Sequence, residues 1–303
     1  MSISTSSRIT RALAAVLSMG IVVAPTVSAQ QPSNQWSGAE SAFGRKGVPQ
    51  PADVMRFNFP RSDLTVRIGD VTLKPALALG SWVAFLPTGP GKALAMGDLV
   101  LLDNEVGPVM AALQAEGIEQ TAVHNHLLSE SPHITYMHVM AEGDPAKIAA
   151  AVHAALAKSA TPIGAAPPGG APAAELDTGA IAKALGVSGR LNGNVYQVSV
   201  PRSETIMEMG HSLPPSMGVA TAINFQPTGA GKAAITGDFV LRGSEVNPVI
   251  RAFKKNGIDA TALHSHLIDS DPQLYFMHFW ANDDALKLAR GLREALDQTK
   301  SKP

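Results

Sequence analysis

The chain contains no cysteine. That excludes disulfide staples and any thiolate metal site, so a copy in an oxidising compartment must hold its fold together with its apolar core. Charged residues make up only 16%, against roughly 25% in an average soluble protein. Neither sign dominates, with 24 basic and 25 acidic residues. Such a balance leaves no electrostatic footprint for nucleic acid or an anionic membrane surface. No apolar run reaches the roughly 20 residues that a membrane-spanning helix needs. The nearest, Ala12–Ala24, follows Arg8 and Arg11 and precedes Val27-Ser28-Ala29, a basic, apolar and small-residue order that predicts a secretory signal over residues 1–29, cleaved after Ala29. Without Arg8 and Arg11, 22 basic residues face 25 acidic ones.

What remains is 274 residues from Gln30 onward, enough for two domains rather than one small core. The chain is internally duplicated. Residues 81–144 laid on 221–284, at an offset of 140 and without a gap, share 28 of 64 residues. Phe85-Leu-Pro-Thr-Gly-Pro-Gly-Lys92 matches Phe225-Gln-Pro-Thr-Gly-Ala-Gly-Lys232, and Pro60-Arg61-Ser62 matches Pro201-Arg202-Ser203 after a small slip. A period this long means two like domains, not a solenoid. The expected division is a first repeat over 30–158, a Pro/Ala/Gly-rich linker over 159–175 and a second repeat over 176–303. The linker is long enough for the halves to pack about a pseudo-twofold axis.

Periodicity within a repeat predicts strands at Met55–Phe59 and Leu64–Arg67, then a hairpin of Trp82–Leu86 with Ala93–Leu102 across the Pro87–Lys92 turn. Gly107-Pro108 reads as a helix start, with the helix running to Ala115 and stopping at Gly117. A second hairpin joins Glu119–Leu128 to His133–Ala141 over Ser129–Pro132, and Asp144-Pro145 opens the last helix. The fold class is α+β: two tandem homologous halves, each an antiparallel sheet with two helices packed on one face, related by pseudo-twofold symmetry.

Six of the nine histidines occupy matched positions. Thr121-Ala-Val-His124-Asn-His126-Leu with Tyr136-Met-His138 is repeated as Thr261-Ala-Leu-His264-Ser-His266-Leu with Phe276-Met-His278. In a strand, residues i and i+2 share a face, about 6.5–7 Å apart. Pairing His124 opposite His138 puts all three imidazoles of a repeat on one face, with Cβ atoms of the opposed pair about 4.5–5.5 Å apart. Val123, Leu127, Met137 and Val139 then take the helix-packed face. Three convergent nitrogens suit a divalent ion of zinc type. Glu105 and Glu245, kept while their neighbours change, are the expected fourth ligands, with Asp98 and Asp238 as second choices. A carboxylate can equally orient an imidazole from behind.

Two other motifs carry less. Pro-Thr-Gly-x-Gly-Lys-Ala lacks the spacing and the Ser/Thr of a phosphate loop and reads as a hairpin turn. Gly117…His124-x-His126…Glu130 has the outline of a cupin motif, but Ser270 replaces Glu130 in the second repeat and a helix interrupts the strands.

Through the doubled Pro-Arg-Ser, Phe-x-Pro-Thr-Gly-x-Gly-Lys, Gly-Asp, Glu-Val-x-Pro-Val and His-x-His…Met-His segments, the chain resembles the LppY/LpqO family of uncharacterised exported proteins. The resemblance implies export but no reaction. The lipobox cysteine is absent, so a soluble periplasmic or secreted form without a membrane anchor is expected.

The leading expectation is a periplasmic metal-binding protein with one site per repeat, His124/His126/His138 with Glu105 and His264/His266/His278 with Glu245. Zinc is preferred, then copper(II), nickel or iron(II), while magnesium and calcium want oxygen ligands. The alternatives are a metal-dependent hydrolase or oxygenase acting on an envelope substrate, and a metal-free module in which the two histidine faces enclose a small molecule or glycan. No Ser/His/Asp order or paired carboxylates name a catalytic group.

Overall fold

The computed structural model describes residues 1–2, 35–164 and 176–302. The signal expected over 1–29 and the linker beyond 164 fall outside or largely outside that range. From Gln35 onward the chain is one compact unit. The first repeat runs α1 (Ser37–Phe43), β1 (Val48–Pro49), β2 (Met55–Pro60), β3 (Arg67–Ile68), β4 (Val71–Thr72), α2 (Pro75–Ala78), β5 (Gly80–Gly89), β6 (Lys92–Leu102), α3 (Asp103–Ala115), β7 (Glu119–His124), β8 (Ile134–Gly143) and α4 (Pro145–Leu156). The second runs α5 (Thr178–Leu185), β9 (Arg190–Asn192), β10 (Val195–Pro201), β11 (Ile206–Glu208), β12 (His211–Leu213), β13 (Ala220–Gly229), β14 (Lys232–Leu241), α6 (Gly243–Lys255), β15 (Asp259–His264), β16 (Tyr275–Asp284) and α7 (Ala285–Leu296).

Each repeat builds a six-stranded antiparallel sheet, ordered β1-β2-β5-β6-β8-β7 in the first and β9-β10-β13-β14-β16-β15 in the second. The final helix of each repeat starts where expected. Asp144 caps α4 by accepting from the Ala146 and Lys147 amides, and Asp284 caps α7 by accepting from the Lys287 amide, satisfying donors that a helix start otherwise leaves unpaired. The Pro87–Lys92 segment is the predicted turn between β5 and β6. Beyond the two helices expected per repeat, α1 and α5 open the repeats and pack on α4 and α7.

The four apolar cores explain the layering. On the outer face of the first sheet, Phe57, Phe85, Leu101, Met137 and Val139 pack with Val109 and Leu113 of α3 and with α4. The second sheet repeats this with Phe225, Phe239 and Phe279 against Phe253 of α6 and Leu292 of α7. The other two cores lie between the sheets and draw on both repeats. One joins Val100 and Tyr136 to Ala234 and Trp280; the other joins Leu94 and Met140 to Val240 and Phe276. Adding or subtracting 140 exchanges these members, which is the pseudo-twofold relation in side-chain terms. The result is a four-layer α/β/β/α arrangement with the histidine-bearing faces inward. Each fully buried large apolar side chain contributes about 1.5–3 kcal/mol, so the shared cores bind the repeats into one folding unit rather than two separable domains.

Three local expectations are corrected. Helix α3 begins at Asp103, not at Pro108, because Glu105 at its third position accepts from the Leu102 amide (2.9 Å) and closes a cap upstream. Strand β7 ends at His124, so His126 lies in the following loop. A bulge between Gln120 and Ala122 sets Ala122 opposite His138 and His124 opposite Tyr136, two residues from the expected pairing. Since a shift of two preserves side-chain parity, the histidines keep their face. On the other face Met137 and Val139 enter the helix-packed core, while Leu127, past the strand end, joins an inter-repeat core and Val123 on the edge strand stays exposed.

Candidate metal centre

Placing the histidine faces inward merges the two expected sites into one. His138 is fixed in the middle of β8, between β6 and β7, and His278 likewise in β16. His124 and His264 terminate the edge strands, and His126 and His266 hang from the loops that follow. Those loops cross the interface: Thr261 Oγ1 donates to the His126 carbonyl, and Asn125 Nδ2 donates to the Thr261 carbonyl at 3.4 Å.

Each repeat interleaves its imidazoles with the other's. Ring centroids lie 3.7 Å apart for His124–His264, 3.7 Å for His126–His278 and 3.8 Å for His138–His266. Within a repeat the spacing is looser, 5.0 Å for His124–His126 and 5.1 Å for both His124–His138 and His264–His278. Aromatic rings back the cluster. Tyr136 stacks on His126 at 3.4 Å and anchors its hydroxyl by donating to the Ala78 carbonyl, while Phe276 lies 3.5 Å from His266.

The carboxylates at the centre are Asp98 and Asp238. Asp98 is the β6 partner of His138, and Asp238 is the β14 partner of His278. Asp98 Oδ2 is 3.8 Å from His126 Nε2 and its Oδ1 is 3.9 Å from His138 Nε2. Their neighbours Gly97 and Gly237 permit this close layering: a Cβ on Gly237 would stand 1.9 Å from the Ala222 carbonyl oxygen.

Glu105 and Glu245, the preferred ligands from sequence, belong to a different construction. Glu105 takes a two-pronged ion pair from buried Arg61, at 2.7 and 3.1 Å, and accepts from the Leu102 and Ala160 amides. Glu245 does the same with Arg202, Arg242 and Lys300. These clamps tie a strand end, the start of α3 or α6 and the end of the repeat together, and every strong acceptor direction of the carboxylate is used. The doubled Pro-Arg-Ser and the retained glutamate were the sequence signals for this pair.

Burial dominates the electrostatics. It holds His126, His138, His266 and His278 well below the ordinary histidine range, with neighbouring imidazoles adding to the effect. His124 falls to about 3 and His264 to about 4, again through burial. Burial pushes Asp98 up to about 7 against the attraction of Arg56, and it raises Asp238 well above its usual range, with Asp98 contributing. The six imidazoles are therefore neutral near pH 7, which is the form that ligates metals.

One proton can be placed. His278 Nδ1 lies 2.8 Å from the Gly237 carbonyl, which can only accept. Nδ1 thus carries the hydrogen and Nε2 turns a lone pair into the cluster, 3.0 Å from His264 Nε2, the arrangement by which a carbonyl orients a metal-ligating histidine. In two triads one ring nitrogen from each histidine lies within 4.8 Å of the others: His124/His126/His138 and His124/His264/His278. Among the described residues, half of the buried side-chain polar atoms without a partner collect here: both nitrogens of His124, one each of His126, His264 and His266, and one oxygen each of Asp98 and Asp238.

The chain belongs to the family of the Domain of Unknown Function (DUF1259), whose model matches residues 37–158 and again 179–298. These matches coincide with the two structural repeats. No curated protein matches the chain. Among solved structures, the chain is 12% identical to the trimeric bacterial microcompartment shell protein PduB, covering 82% of this chain and 89% of that one at a TM-score of 0.21. It is 10% identical to EtuB from Clostridium kluyveri, covering 82% and 90% at a TM-score of 0.19. TM-scores this low do not establish a shared fold. Among the described residues no helix is long and apolar enough to cross a membrane.

Proposed function

We propose that this is an exported metal-binding protein in which both repeats build one composite centre for a divalent transition ion, zinc by preference and copper, nickel or iron by the same ligand chemistry. The observation that carries this reading is the set of seven unpartnered buried polar atoms on four imidazoles and two carboxylates. Leaving a buried donor or acceptor unpaired costs about 1–3 kcal/mol, so seven together amount to about 7–20 kcal/mol, as large as the whole stability of a typical domain. A cation satisfies lone pairs and carboxylate oxygens at once. The N···N spacing fits too: two ligands about 2.0–2.1 Å from one tetrahedral ion stand about 3.3 Å apart, close to the 3.0 Å between His264 and His278. Export to the periplasm or medium rests on the basic, apolar and small-residue order of residues 1–29.

A second reading, a metal-dependent hydrolase or oxygenase, draws support from His124, His126 and His264, the half-buried members of the matched six, which bring one edge of the cluster near the surface. A metal-free pocket for a glycan or other organic molecule is disfavoured, because rings 3.4–3.8 Å apart are already in van der Waals contact.

Elemental analysis of protein purified without a histidine tag tests the reading. The expectation is a transition ion retained through dialysis and bound in reduced amount or with lower affinity by the combined His124→Ala, His264→Ala protein. Absence of any retained or rebindable ion in the unsubstituted protein would remove it.

A further inference from the structure

We infer that the centre is dinuclear: two divalent ions sit side by side, one at His126, His138 and Asp98, the other at His264, His278 and Asp238, with His124 at the junction. The inference rests on the metal-binding reading and specifies its nuclearity and its ligand sets.

Donor supply is the first argument. An ion of zinc type is satisfied by about four ligands, whereas eight side chains converge here. Six of them carry unpartnered buried atoms, so a single four-coordinate ion would leave at least two unsatisfied, the costly state that a ligand has to relieve.

Donor distribution is the second. The nitrogens form two triads, not one shell, and the triads share only His124, both of whose ring nitrogens lack a partner. Each triad lies beside its own carboxylate. Asp98 faces His126 and His138 at 3.8 and 3.9 Å, and Asp238 is the direct cross-strand partner of His278.

Charge is the third. One carboxylate per ion halves each divalent charge, and two like carboxylates directed into one buried cluster are best relieved by cations between them. Paired ions in protein centres stand about 3.5–4 Å apart, a separation on the scale of the imidazole ring contacts across this interface. Each ion's named ligands come from one repeat, but His138 lies against His266 and His126 against His278, so rings of the other repeat wall each ion and hold its ligands in place. The duplication is then part of the centre rather than a doubling of independent sites.

The test is native mass spectrometry of the metal-free full chain titrated with zinc(II), together with electron paramagnetic resonance of the cobalt(II) form. Two ions per chain are expected in the unsubstituted protein, falling to one in Asp98→Asn and to one in Asp238→Asn, and the high-spin cobalt(II) signal at two equivalents should be weakened by coupling between neighbouring ions. Saturation at one ion, or two cobalt ions giving the full uncoupled signal, would overturn the dinuclear assignment while leaving metal binding intact. Binding of no ion at all would instead overturn the metal reading and this inference with it. The cobalt spectrum is taken on the unsubstituted chain, so the outcome stands even where an asparagine variant fails to fold.

Discussion

His138 Nε2 lies 2.8 Å from His266 Nδ1 although the two residues are 128 positions apart and belong to different repeats. That contact makes the repeats' imidazoles interdependent. Removing His138 should therefore weaken binding at both carboxylates. Competition titration with a zinc chelator on His138→Ala is expected to show affinity reduced by roughly 100-fold or more for all bound zinc, with second-neighbour effects alone accounting for about 10–100-fold. Loss confined to half the zinc, with the rest bound as in the unsubstituted protein, would mean that the repeats bind separately.

The Arg61–Glu105 and Arg202–Glu245 clamps predict the opposite separation of effects. Glu105→Ala leaves a buried guanidinium with only Asp63 to compensate it, and breaking a buried pair costs about 3–5 kcal/mol. Urea denaturation should show a loss near the lower end of that range because Asp63 remains. Metal stoichiometry in the folded variant should be unchanged.

Acid should act on the metal-free protein in two stages. The folded-state histidines are held below their ordinary value, so as pH falls below about 6.5 the unfolded chain takes up protons that the folded cluster refuses, and stability declines. Glu105 and Glu245 are also held below the ordinary carboxylate range, by their arginine and amide partners although burial opposes this. Their stabilisation is intact above the unfolded value of about 4.3 and is lost only as pH falls through the lower folded value. Melting temperature recorded against pH in the presence of a chelator should fall first below about 6.5 and again below about 4.3. Bound metal should suppress the first decline.

Gly237→Ala forces a Cβ against the Ala222 carbonyl at the residue whose own carbonyl orients His278. Overpacking of this kind costs about 1–3 kcal/mol. The variant is expected to lose stability by that amount in denaturant titration and also to bind zinc more weakly, whereas Gly91→Ala, in a turn with open space around it, should leave zinc affinity intact.

Much of this was legible in the residues. The 140-residue offset gave the paired sheets, and parity along Thr121–His126 put the imidazoles on one face even though the pairing lies two residues from the expected one, beyond a bulge that no residue pattern announces. The choice of carboxylate was harder. Glu105 and Asp98 are equally retained in the second repeat, and only the strand pairing reveals that Asp98 stands opposite His138 while Glu105 turns to Arg61. Arg61 and Arg202, duplicated in Pro-Arg-Ser, offered a partner for that glutamate before the fold was seen. The union of the two sites depends on how the sheets pack on each other, a long-range property that periodicity within one repeat does not contain.

Zinc X-ray absorption on tag-free, zinc-loaded protein tests the central claim most directly. The account predicts a first shell of nitrogen and oxygen at about 2.0–2.1 Å with multiple scattering from at least two imidazoles per ion, and a weakened imidazole signature in the combined His124→Ala, His264→Ala, His278→Ala protein, which keeps only His126 and His138 among the assigned imidazole ligands. A six-oxygen shell without imidazole scattering, or a spectrum unaltered by those substitutions, would contradict it.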